Sequence, residues 1–375
     1  MIKEIEIDSL DLENIEYDLK GNLKENGMIK KKIVCLRPGH KSGLPRIYSE
    51  IKNGKLISHN YGHSGTGYCF LFSTVETAIE NFQKMRMDNG ISFNEKITVI
   101  GMGCIGLVTA ITLFYRGFRN IEIIGENYDS TPSQLAGGLF EFSLTSNYTK
   151  EQNDLMNQHF KHTFYEYQAI FEGKHKFINQ KSLISIDYYT DFYDNASGLG
   201  YLAGLGLIPK GTSVVIKIRN TNNKFNMTHF KTFHIITDIF MQNLIKVALS
   251  LNIPMVHKKV NNFSDVKTSI IFNCTGLGSF KLNNDKDVHP ICGHGFLLNK
   301  IDITKCNYIL RFAKIQGLET TNFNGPLYYM PKTSGFIGGS YVKDYFGDDN
   351  ITNEEYFDTI MKRANYVFKG IKPKF

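Results

Sequence analysis

A glycine-rich turn between a predicted strand and a predicted helix is the feature that most constrains this 375-residue chain. Residues 96–100 (KITVI) form a short β-branched run that ends on Gly101, and Gly103 and Gly106 complete the pattern G-x-G-x-x-G. In such a turn the first glycine allows the tight bend, the second lets the backbone approach a pyrophosphate, and the third lets the helix pack close to its strand. The start of the following helix then faces the phosphates of a dinucleotide.

The residues after the turn strengthen this interpretation. Apolar residues recur at helical spacing through Leu107, Ala110, Ile111 and Phe114. Gly117 is predicted to end the helix, and residues 121–124 (IEII) form the next strand, which delivers Glu126. Glu126 is placed to accept hydrogen bonds from an adenosine ribose. A glycine pattern framed by two strands and closed by an acid therefore predicts a dinucleotide-binding unit, with an ordinary glycine turn as the alternative.

The composition is typical of a soluble enzyme. Hydrophobic residues make up 42% of the chain, and no apolar run reaches the ~18 residues that a membrane helix requires. The net charge of +7 is spread along the chain without a basic-aromatic module, which favours a solvated surface over a nucleic-acid-binding one. The six cysteines include no C-x-x-C pair, so neither a metal site nor a disulfide framework is predicted. With no signal peptide at its start, the chain is expected in a reducing cytoplasm.

The glycine-rich stretch at residues 59–67 (HNYGHSGTG) is the second informative segment. It follows a predicted strand before Arg37-Pro38 and a predicted hairpin with its turn at Asn53-Gly54. Its glycines and small hydroxyl residues let the backbone lie flat against a planar or oxygen-rich ligand. A helical pattern at residues 70–82 starts directly behind it and presents a helix N-terminus to the ligand. The alternative is a plain glycine-rich connection.

The rest of the chain predicts further helices and strands. Residues 133–138 (SQLAGG) form a polar turn that leads into a glycine pair able to cross close to a cofactor. The predicted helices are 149–172, 238–251 and 354–368, the predicted strands are 213–218 and 269–276, and 327–339 is predicted as a hairpin. The acidic, alternating segment 2–18 is either an edge strand or a loosely attached arm.

Six segments together resemble the FAD-dependent D-amino-acid oxidase family, which includes glycine oxidase and D-aspartate oxidase. They are the GMGCIG turn, SQLAGG, FNCTG at 272–276, the YMP…GG hairpin, LRP at 36–38 and HNYGH at 59–63. The resemblance extends from about residue 31 to the C-terminus, with a poor match at 145–228. It implies an α/β fold in which a Rossmann-like FAD-binding sheet has helices on its faces and a mixed, mainly antiparallel sheet roofs the substrate site. The cofactor, FAD, is expected to span the boundary between the two.

The order of these motifs departs from the family and predicts a circular permutation. In the family the nucleotide unit opens the chain, and LRP and HNYGH close it after a helix like 354–368. Here LRP and HNYGH come first. A permutation is tolerated when the original termini lie close together at the surface. The predicted parts are an extension (1–30), a permuted segment that completes both sites (31–86), the FAD-binding Rossmann unit (87–145), and a substrate domain (146–375) interleaved with further FAD-binding residues (229–280).

The family resemblance also implies a reaction and assigns roles to residues. FAD takes a hydride from the substrate carbon at flavin N5, the imine hydrolyses to a 2-oxo acid and ammonia, and oxygen reoxidises the flavin to give hydrogen peroxide. Arg37 matches the arginine that clamps the substrate carboxylate, for which a guanidinium offers two parallel donors. Tyr329 matches a tyrosine near the substrate, although a hairpin tyrosine is equally typical of a core. His294 is placed near the flavin or is a structural histidine.

The FAD-binding residues implied by the resemblance come from six segments. They are Gly62, His63, Ser64, Gly65, Thr66, Gly101, Gly103, Cys104, Ile105, Gly106, Glu126, Ser133, Gln134, Ala136, Gly137, Gly138, Val260, Thr275 and Gly276. Residues 62–66 are expected to cover the pyrimidine edge of the flavin, where N–H groups stabilise the negative charge of the reduced ring. Val260 is expected to pass its backbone by the adenine.

Two departures from the family place the substrate in question. The tyrosines that precede Phe233-His234 in the family are absent from NMTHFKT, and Cys292 replaces the arginine of Pro-x-Arg-Gly. These changes favour a larger or modified amino acid, or an amine, as the small-molecule substrate, and a homodimer is left open. Two alternatives also stay open. One is a nicotinamide-dependent dehydrogenase on the same Rossmann turn, and the other is a flavin-binding protein of this fold whose activity is lost or altered.

Overall fold

The computed structural model describes residues 2–12, 15–16, 18–20, 22–25, 27–126, 131–142, 148–191, 197–299, 301–313, 315 and 325–371. The strands in this part of the chain are β1 (Lys3–Ile7), β2 (Ile29–His40), β3 (Arg46–Lys52), β4 (Lys55–Tyr61), β5 (Ile97–Ile100), β6 (Ile121–Gly125), β7 (Leu183–Thr190), β8 (Thr212–Ile218), β9 (Lys224–Ile235), β10 (Met255–His257), β11 (Ile270–Asn273), β12 (Val288–Leu298), β13 (Tyr308–Phe312), β14 (Leu327–Met330), β15 (Phe336–Gly338) and β16 (Val342–Lys343). The α-helices are α1 (Leu71–Asp88), α2 (Cys104–Tyr115), α3 (Pro132–Leu135), α4 (Lys150–Phe171), α5 (Gly198–Gly204), α6 (Thr237–Ser250), α7 (Ser279–Leu282) and α8 (Asn350–Lys369). Residues Gln180–Ser182, Phe263–Asp265 and Gly276–Gly278 form 3-10 turns.

The smaller of two sheets has the strand order β10-β6-β5-β11-β4-β3. Its neighbours are parallel except for β3 and β4, which form the hairpin predicted around Asn53-Gly54. Ile100, Asn273 and His59 are register partners near the carboxyl ends of β5, β11 and β4. The GMGCIG turn, the Thr-Gly turn and the HNYGH segment therefore meet at one edge of this sheet, where open α/β sheets bind their ligands.

Alternate residues of the smaller sheet face a large core on one side. Val99, Ile123 and Phe272 are fully buried there, in the cluster that also contains the apolar faces of α1, α2 and α6. The opposite face carries only a small cluster that includes Ile57 and Ile271. The long helices therefore lie on one face of the sheet, and the short helix α7 contributes Leu282 to the cluster on the other.

The larger sheet is mixed, with the order β1-β8-β9-β7-β13-β14-β15-β12-β16 and with β2 paired to β12. Its pairs are antiparallel except β1 with β8 and β7 with β13, which confirms the mixed, mainly antiparallel sheet. The strand predicted before Arg37-Pro38 continues through both residues to His40. Pro38 is compatible with this strand because β2 lies at an edge of the sheet.

The N-terminal segment is an integral part of the larger sheet. β1 pairs with β8 at the sheet edge, so the edge strand is confirmed and the loosely attached arm is wrong for these residues. Leu10 and Leu12 are buried in a second core together with apolar residues of α8. The hydroxyl of Ser9 donates a hydrogen bond to the carbonyl of Phe368 at 2.5 Å. The start of the chain is thus fixed against the end of its last helix.

The predicted helices form with modest changes at their ends. α1 extends to Asp88 rather than residue 82. α4 follows Thr149, whose hydroxyl accepts a hydrogen bond from the Gln152 N–H in a capping box, and α8 ends at Gly370 in the left-handed conformation. The predicted turn at 133–138 contains the single-turn helix α3. No described helix is long and apolar enough to cross a bilayer. The predicted boundary at residue 145 lies outside the described residues.

Candidate active site

A cavity of about 1640 Å³ runs from the carboxyl edge of the smaller sheet to a face of the larger one. Sites for drug-sized ligands measure about 300–1,000 Å³, so this volume accommodates a dinucleotide together with a second small molecule. Nearly all of the sequence-predicted site residues line it, and the exceptions are Gly106, Gln134 and Tyr329. One cavity therefore brings together motifs that are separated by more than 200 positions in the chain.

The GMGCIG turn forms a cradle at one end of the cavity. Gly103, Cys104 and Ile105 line it, and the first-turn N–H groups of a helix have no partner within the helix itself. The Cys104 N–H donates to the hydroxyl of Ser133 at 3.0 Å, which joins this turn to the SQLAGG segment. A Cβ on Gly106 would lie 2.0 Å from the carbonyl oxygen of Gly101, so the helix packs as close to its strand as the motif requires. A pyrophosphate fits this cradle.

The end of β6 and the segment after β10 supply the next part of the wall. Glu126 and Val260 both line the cavity, and the Glu126 carboxylate lies 2.9 Å from Nζ of Lys259. Both side chains of this pair are mostly exposed, where an ion pair is weak, so the carboxylate is accessible to a ribose hydroxyl. The lysines that line this end of the cavity are Lys258, Lys259, Lys281 and Lys286. Their charge attracts an anionic dinucleotide.

The loop after β4 packs directly on the Arg37 side chain. Gly65 has a φ of +96°, and a Cβ at this position would lie 2.7 Å from Cδ of Arg37. The Ser64 N–H donates to the carbonyl of Pro38 at 2.8 Å, and the Thr66 hydroxyl donates to the carbonyl of His63 at 2.6 Å. The LRP and HNYGHSGTG motifs are therefore one structural unit. Burial lowers the pKa of His63 to about 3, so its ring is neutral.

A buried lysine that the sequence analysis did not single out supports the SQLAGG segment. Nζ of Lys332 donates to the carbonyls of Gln134 at 3.1 Å and Ala136 at 3.0 Å, and lies 3.4 Å from the Asp238 carboxylate. The Thr237 hydroxyl donates to the same two carbonyls. Burial lowers the pKa of Lys332, while Asp238 acts in the opposite direction. A lysine inside an apolar hairpin was the signal available in the sequence.

Arg37 stands at the other end of the cavity, surrounded by residues of the larger sheet. Its guanidinium donates to the carbonyl of Ser340 at 3.3 Å and lies 5.8 Å from the ring centre of Tyr341. The Tyr328 hydroxyl is within its hydrogen-bonding reach. A Cβ on Gly293 would lie 2.6 Å from Nη2 of Arg37, so the glycine leaves room for the guanidinium. Arg37 is half-buried, as suits a group that binds a carboxylate.

Strand alternation places Tyr329 outside this cavity. The Tyr329 hydroxyl donates to the carbonyl of Cys306 at 3.0 Å, and the ring is buried in the second core behind the larger sheet. Successive side chains of a strand point to opposite faces, so its neighbour Tyr328 lines the cavity instead. The prediction that Tyr329 is near the substrate is therefore wrong, and its core alternative describes it correctly.

His294 has the environment of a structural histidine. Although it is part of the cavity wall, the side chain is 1% exposed. Its Nδ1 lies 2.6 Å from the Ser340 hydroxyl and its Nε2 lies 2.8 Å from Oδ1 of Asn353. The ring stacks on Tyr356 with centroids 4.6 Å apart. Both ring nitrogens are thus engaged within the protein, and burial lowers the pKa of the ring.

Three further polar side chains of the cavity wall were missed in the sequence. Glu141, Tyr188 and Arg311 line the same cavity. The Arg311 guanidinium is in hydrogen-bonding reach of the Tyr188 hydroxyl, and burial raises the pKa of Tyr188 to about 12. Glu141 and Arg311 each interrupt an apolar run, in LFEF and YILRF, which was the only sequence signal for them.

Comparison with known proteins identifies the fold. No model of a known protein family matches the chain. The structure of L-proline dehydrogenase from P. horikoshii matches with a TM-score of 0.52 and 12% identity, over 74% of this chain and 78% of that one. This chain shares its fold. The mixed α/β architecture predicted from the sequence is thereby confirmed.

Two further solved structures give lower scores. Glycine oxidase from Geobacillus kaustophilus matches with a TM-score of 0.48 and 13% identity, over 72% of this chain and 77% of that one. Fructosyl amine:oxygen oxidoreductase (Amadoriase I) from Aspergillus fumigatus matches with a TM-score of 0.46 and 12% identity, over 66% of this chain. The match spans 63% of the Amadoriase chain, less than two thirds of its length.

Proposed function

We propose that this chain is a FAD-dependent oxidoreductase that oxidises the C–N bond of an amino acid or amine. The observation that carries the proposal is the single cavity in which a dinucleotide cradle and Arg37 face the same space. The fold shared with L-proline dehydrogenase, which is named for an amino-acid substrate, supports it. The sequence resemblance to D-amino-acid oxidases supports FAD over a nicotinamide cofactor, because HNYGHSGTG and SQLAGG both border the cavity.

The residues around the cavity fit FAD and divide its parts among them. The N–H groups of Gly103 and Ile105 would hold the pyrophosphate, Glu126 the ribose, the Val260 backbone the adenine, and the loop 62–66 the pyrimidine edge of the flavin. Bound FAD would supply the hydride acceptor for the C–N bond. Arg37 would orient the substrate carboxylate through two parallel N–H donors, which fixes the reacting carbon in place. The proposed products are an imine, then an oxo acid and ammonia, with hydrogen peroxide when oxygen is the acceptor.

The test is the visible absorption spectrum of the purified protein, recorded without oxygen before and after adding D-amino acids, glycine, L-proline and amines. A flavin spectrum that bleaches with one of them is the expected result, and Arg37→Lys should then raise the concentration of a carboxylate substrate needed for half-maximal bleaching. A flavin that never bleaches would reduce the proposal to a flavin-binding protein of this fold. A colourless protein that binds NAD would favour a nicotinamide-dependent dehydrogenase.

We also propose that the chain is a circular permutation of the family order. In that order α8 would be followed by β2, and Nζ of Lys32 in β2 lies 2.7 Å from the Glu354 carboxylate in α8. The Ser9 contact with Phe368 likewise brings the two ends of the chain together. An unpermuted variant that keeps the N-terminal strand, with residue 371 joined by a glycine-serine linker to residue 2 and new ends opened between residues 89 and 90, should fold and bind the same cofactor. A variant that stays unfolded would contradict this proposal.

A further inference from the structure

The Glu141 carboxylate is a buried group with unused hydrogen-bonding capacity in the wall of the cavity. The side chain lines the cavity, and its Oε1 is shielded from solvent and has no hydrogen-bond partner among the described residues. The backbone around it is fixed, because the Phe140 N–H donates to the carbonyl of Phe233 at 3.0 Å and the Cys69 thiol donates to the carbonyl of Glu141 at 3.2 Å. A buried acceptor without a donor is costly, and such groups are rare in folded proteins.

The groups around Glu141 act on the pKa of its carboxyl group in opposite directions. Among the described residues the charged or titratable neighbours are Arg311 on β13, Tyr188 on β7 and Cys69 before α1. Arg311 favours the ionised carboxylate, as do nearby backbone N–H groups around the start of α5. Burial outweighs both and raises the pKa of Glu141 to about 8. The protein therefore holds an acid that is incompletely compensated, in the wall of the cavity that also contains the proposed carboxylate clamp.

We propose that Glu141 binds the amino group of the substrate while Arg37 binds its carboxylate. This inference rests on the proposed function and specifies its substrate class: a molecule that carries an ammonium and a carboxylate on neighbouring positions, rather than a neutral amine or a hydroxy acid. An ammonium supplies the donor that Oε1 lacks, in a charge-assisted hydrogen bond. Its positive charge also favours the ionised form of Glu141, so that ligand and side chain stabilise one another.

The same contact offers a path for one proton. A proton leaves the substrate nitrogen and binds Oε1 of Glu141, so that an ammonium and a carboxylate become a neutral amine and a carboxylic acid. The nitrogen then has the free electron pair from which the C=N bond would form once bound FAD, as the hydride acceptor of the proposed function, has taken the hydride from the carbon. A carboxyl group whose pKa is near 8 exchanges a proton with an amine near neutral pH more readily than an ordinary glutamate does.

The test uses two ligands that differ only in the group that Glu141 would bind. 2-Aminoisobutyrate and 2-hydroxyisobutyrate are achiral carboxylates with no hydrogen on the α-carbon, so neither can be oxidised to an imine or a keto acid, and binding is read from the flavin absorbance alone. At pH 8.5 the wild-type holoenzyme should bind the amino ligand at least tenfold more tightly. Glu141→Gln should remove this preference by weakening the amino ligand only, whereas Arg37→Lys should weaken both ligands.

Three results would overturn the inference while leaving the proposed function intact. They are equal affinity of the wild type for the two ligands, no spectral shift with either, or a Glu141→Gln variant that keeps the tenfold preference. The proposed function fails in a different way, by the absence of bound flavin or of bleaching by any amino acid or amine. Flavin content and the urea unfolding midpoint of Glu141→Gln show that the variant is folded, because its amide retains the shape of the carboxyl group.

Discussion

Tyr328 and Tyr329 form a matched pair for testing how β14 divides the protein into a cavity side and a core side. The Tyr329 hydroxyl donates to the carbonyl of Cys306 at 3.0 Å. Tyr329 and Cys306 are both buried, with exposures of 1% and 5%. Tyr329→Phe keeps the ring but leaves that carbonyl without this donor. The expected loss is about 1–3 kcal/mol of unfolding free energy, with no change in ligand affinity.

The same substitution at Tyr328 should act on the ligand instead. Burial raises the pKa of its hydroxyl, and the neighbouring Arg37 guanidinium acts in the opposite direction. Hydrogen bonds to charged groups are worth about 1.5–3 kcal/mol, and about 1.4 kcal/mol corresponds to a tenfold change in affinity. If Tyr328 orients Arg37, Tyr328→Phe should weaken the binding of a carboxylate ligand by about tenfold or more. The free energy of unfolding should change little, because phenylalanine keeps the aromatic ring and only a hydroxyl beside the cavity is removed.

Two measurements on each variant separate these effects. Urea unfolding gives the free energy, and titration of the flavin absorbance with 2-hydroxyisobutyrate gives the affinity. The reasoning is refuted if Tyr329→Phe weakens the ligand as much as Tyr328→Phe does, because strand alternation would then not separate the two side chains. It is also refuted if Tyr328→Phe destabilises the protein while the affinity is unchanged.

Four further outcomes follow from contacts elsewhere in the molecule. Gly106→Ala should abolish flavin binding because its Cβ would lie 2.0 Å from the Gly101 carbonyl, whereas Gly204→Ala, with no atom within 4 Å of the new Cβ, should keep the flavin, as measured by the ratio of flavin to protein absorbance. Lys332→Met removes two hydrogen bonds to the SQLAGG carbonyls, so it should lower the flavin content and reduce the free energy of unfolding in urea by about 1–3 kcal/mol. A variant with normal flavin content would contradict this role. Glu141→Gln should stabilise the ligand-free protein at pH 8.5 relative to the wild type. The pKa of the folded carboxyl group is raised to about 8, so its ionisation opposes folding by an amount that grows as the pH rises from about 4.5 to 8. At about 1.4 kcal/mol per pKa unit, the variant should gain a few kcal/mol of unfolding free energy in urea, and this gain should vanish near pH 4. Burial lowers the pKa of five buried histidines, so their contribution to stability is complete above pH 6.5 and is lost as the pH falls toward 4. The urea midpoint should therefore be lower at pH 5 than at pH 7.5, and equal midpoints would contradict this. The five are His59, His63, His159, His175 and His234.

The nucleotide-binding half of the site was predictable because its chemistry is local. The strand, the turn and the start of α2 lie within a dozen consecutive residues, and each glycine has a role that depends on its immediate neighbours. The contact of Gly106 with the Gly101 carbonyl spans only five positions. Hydrophobic periodicity located α2, α4 and α8 for the same reason, since a helix buries one face through residues three and four apart. Only the observed ends of these helices differ from the predicted ends, because capping residues rather than hydrophobic periodicity determine where a helix ends.

The substrate half was less predictable because it depends on strand register over long separations. β2 is aligned with β12, which is about 250 positions away, and Arg37 obtains its space from Gly293 on that partner strand. The hairpin 327–339 was recognised, but its alternation could be assigned to either face, and the family resemblance selected Tyr329 where the register turns Tyr328 to the cavity.

Glu141, Arg311 and Lys332 show what kind of signal the sequence does contain. Each is a charged residue within an apolar stretch, and a charge in such a place is either expelled to the surface or paired inside the protein. The sequence cannot distinguish these outcomes, because the partners come from other strands and loops. In the structure Lys332 has three partners, whereas Oε1 of Glu141 has none among the described residues. A protein gains no stability from a buried carboxylate oxygen left in that condition, so its place in the cavity that contains Arg37 is best explained by a ligand that completes it.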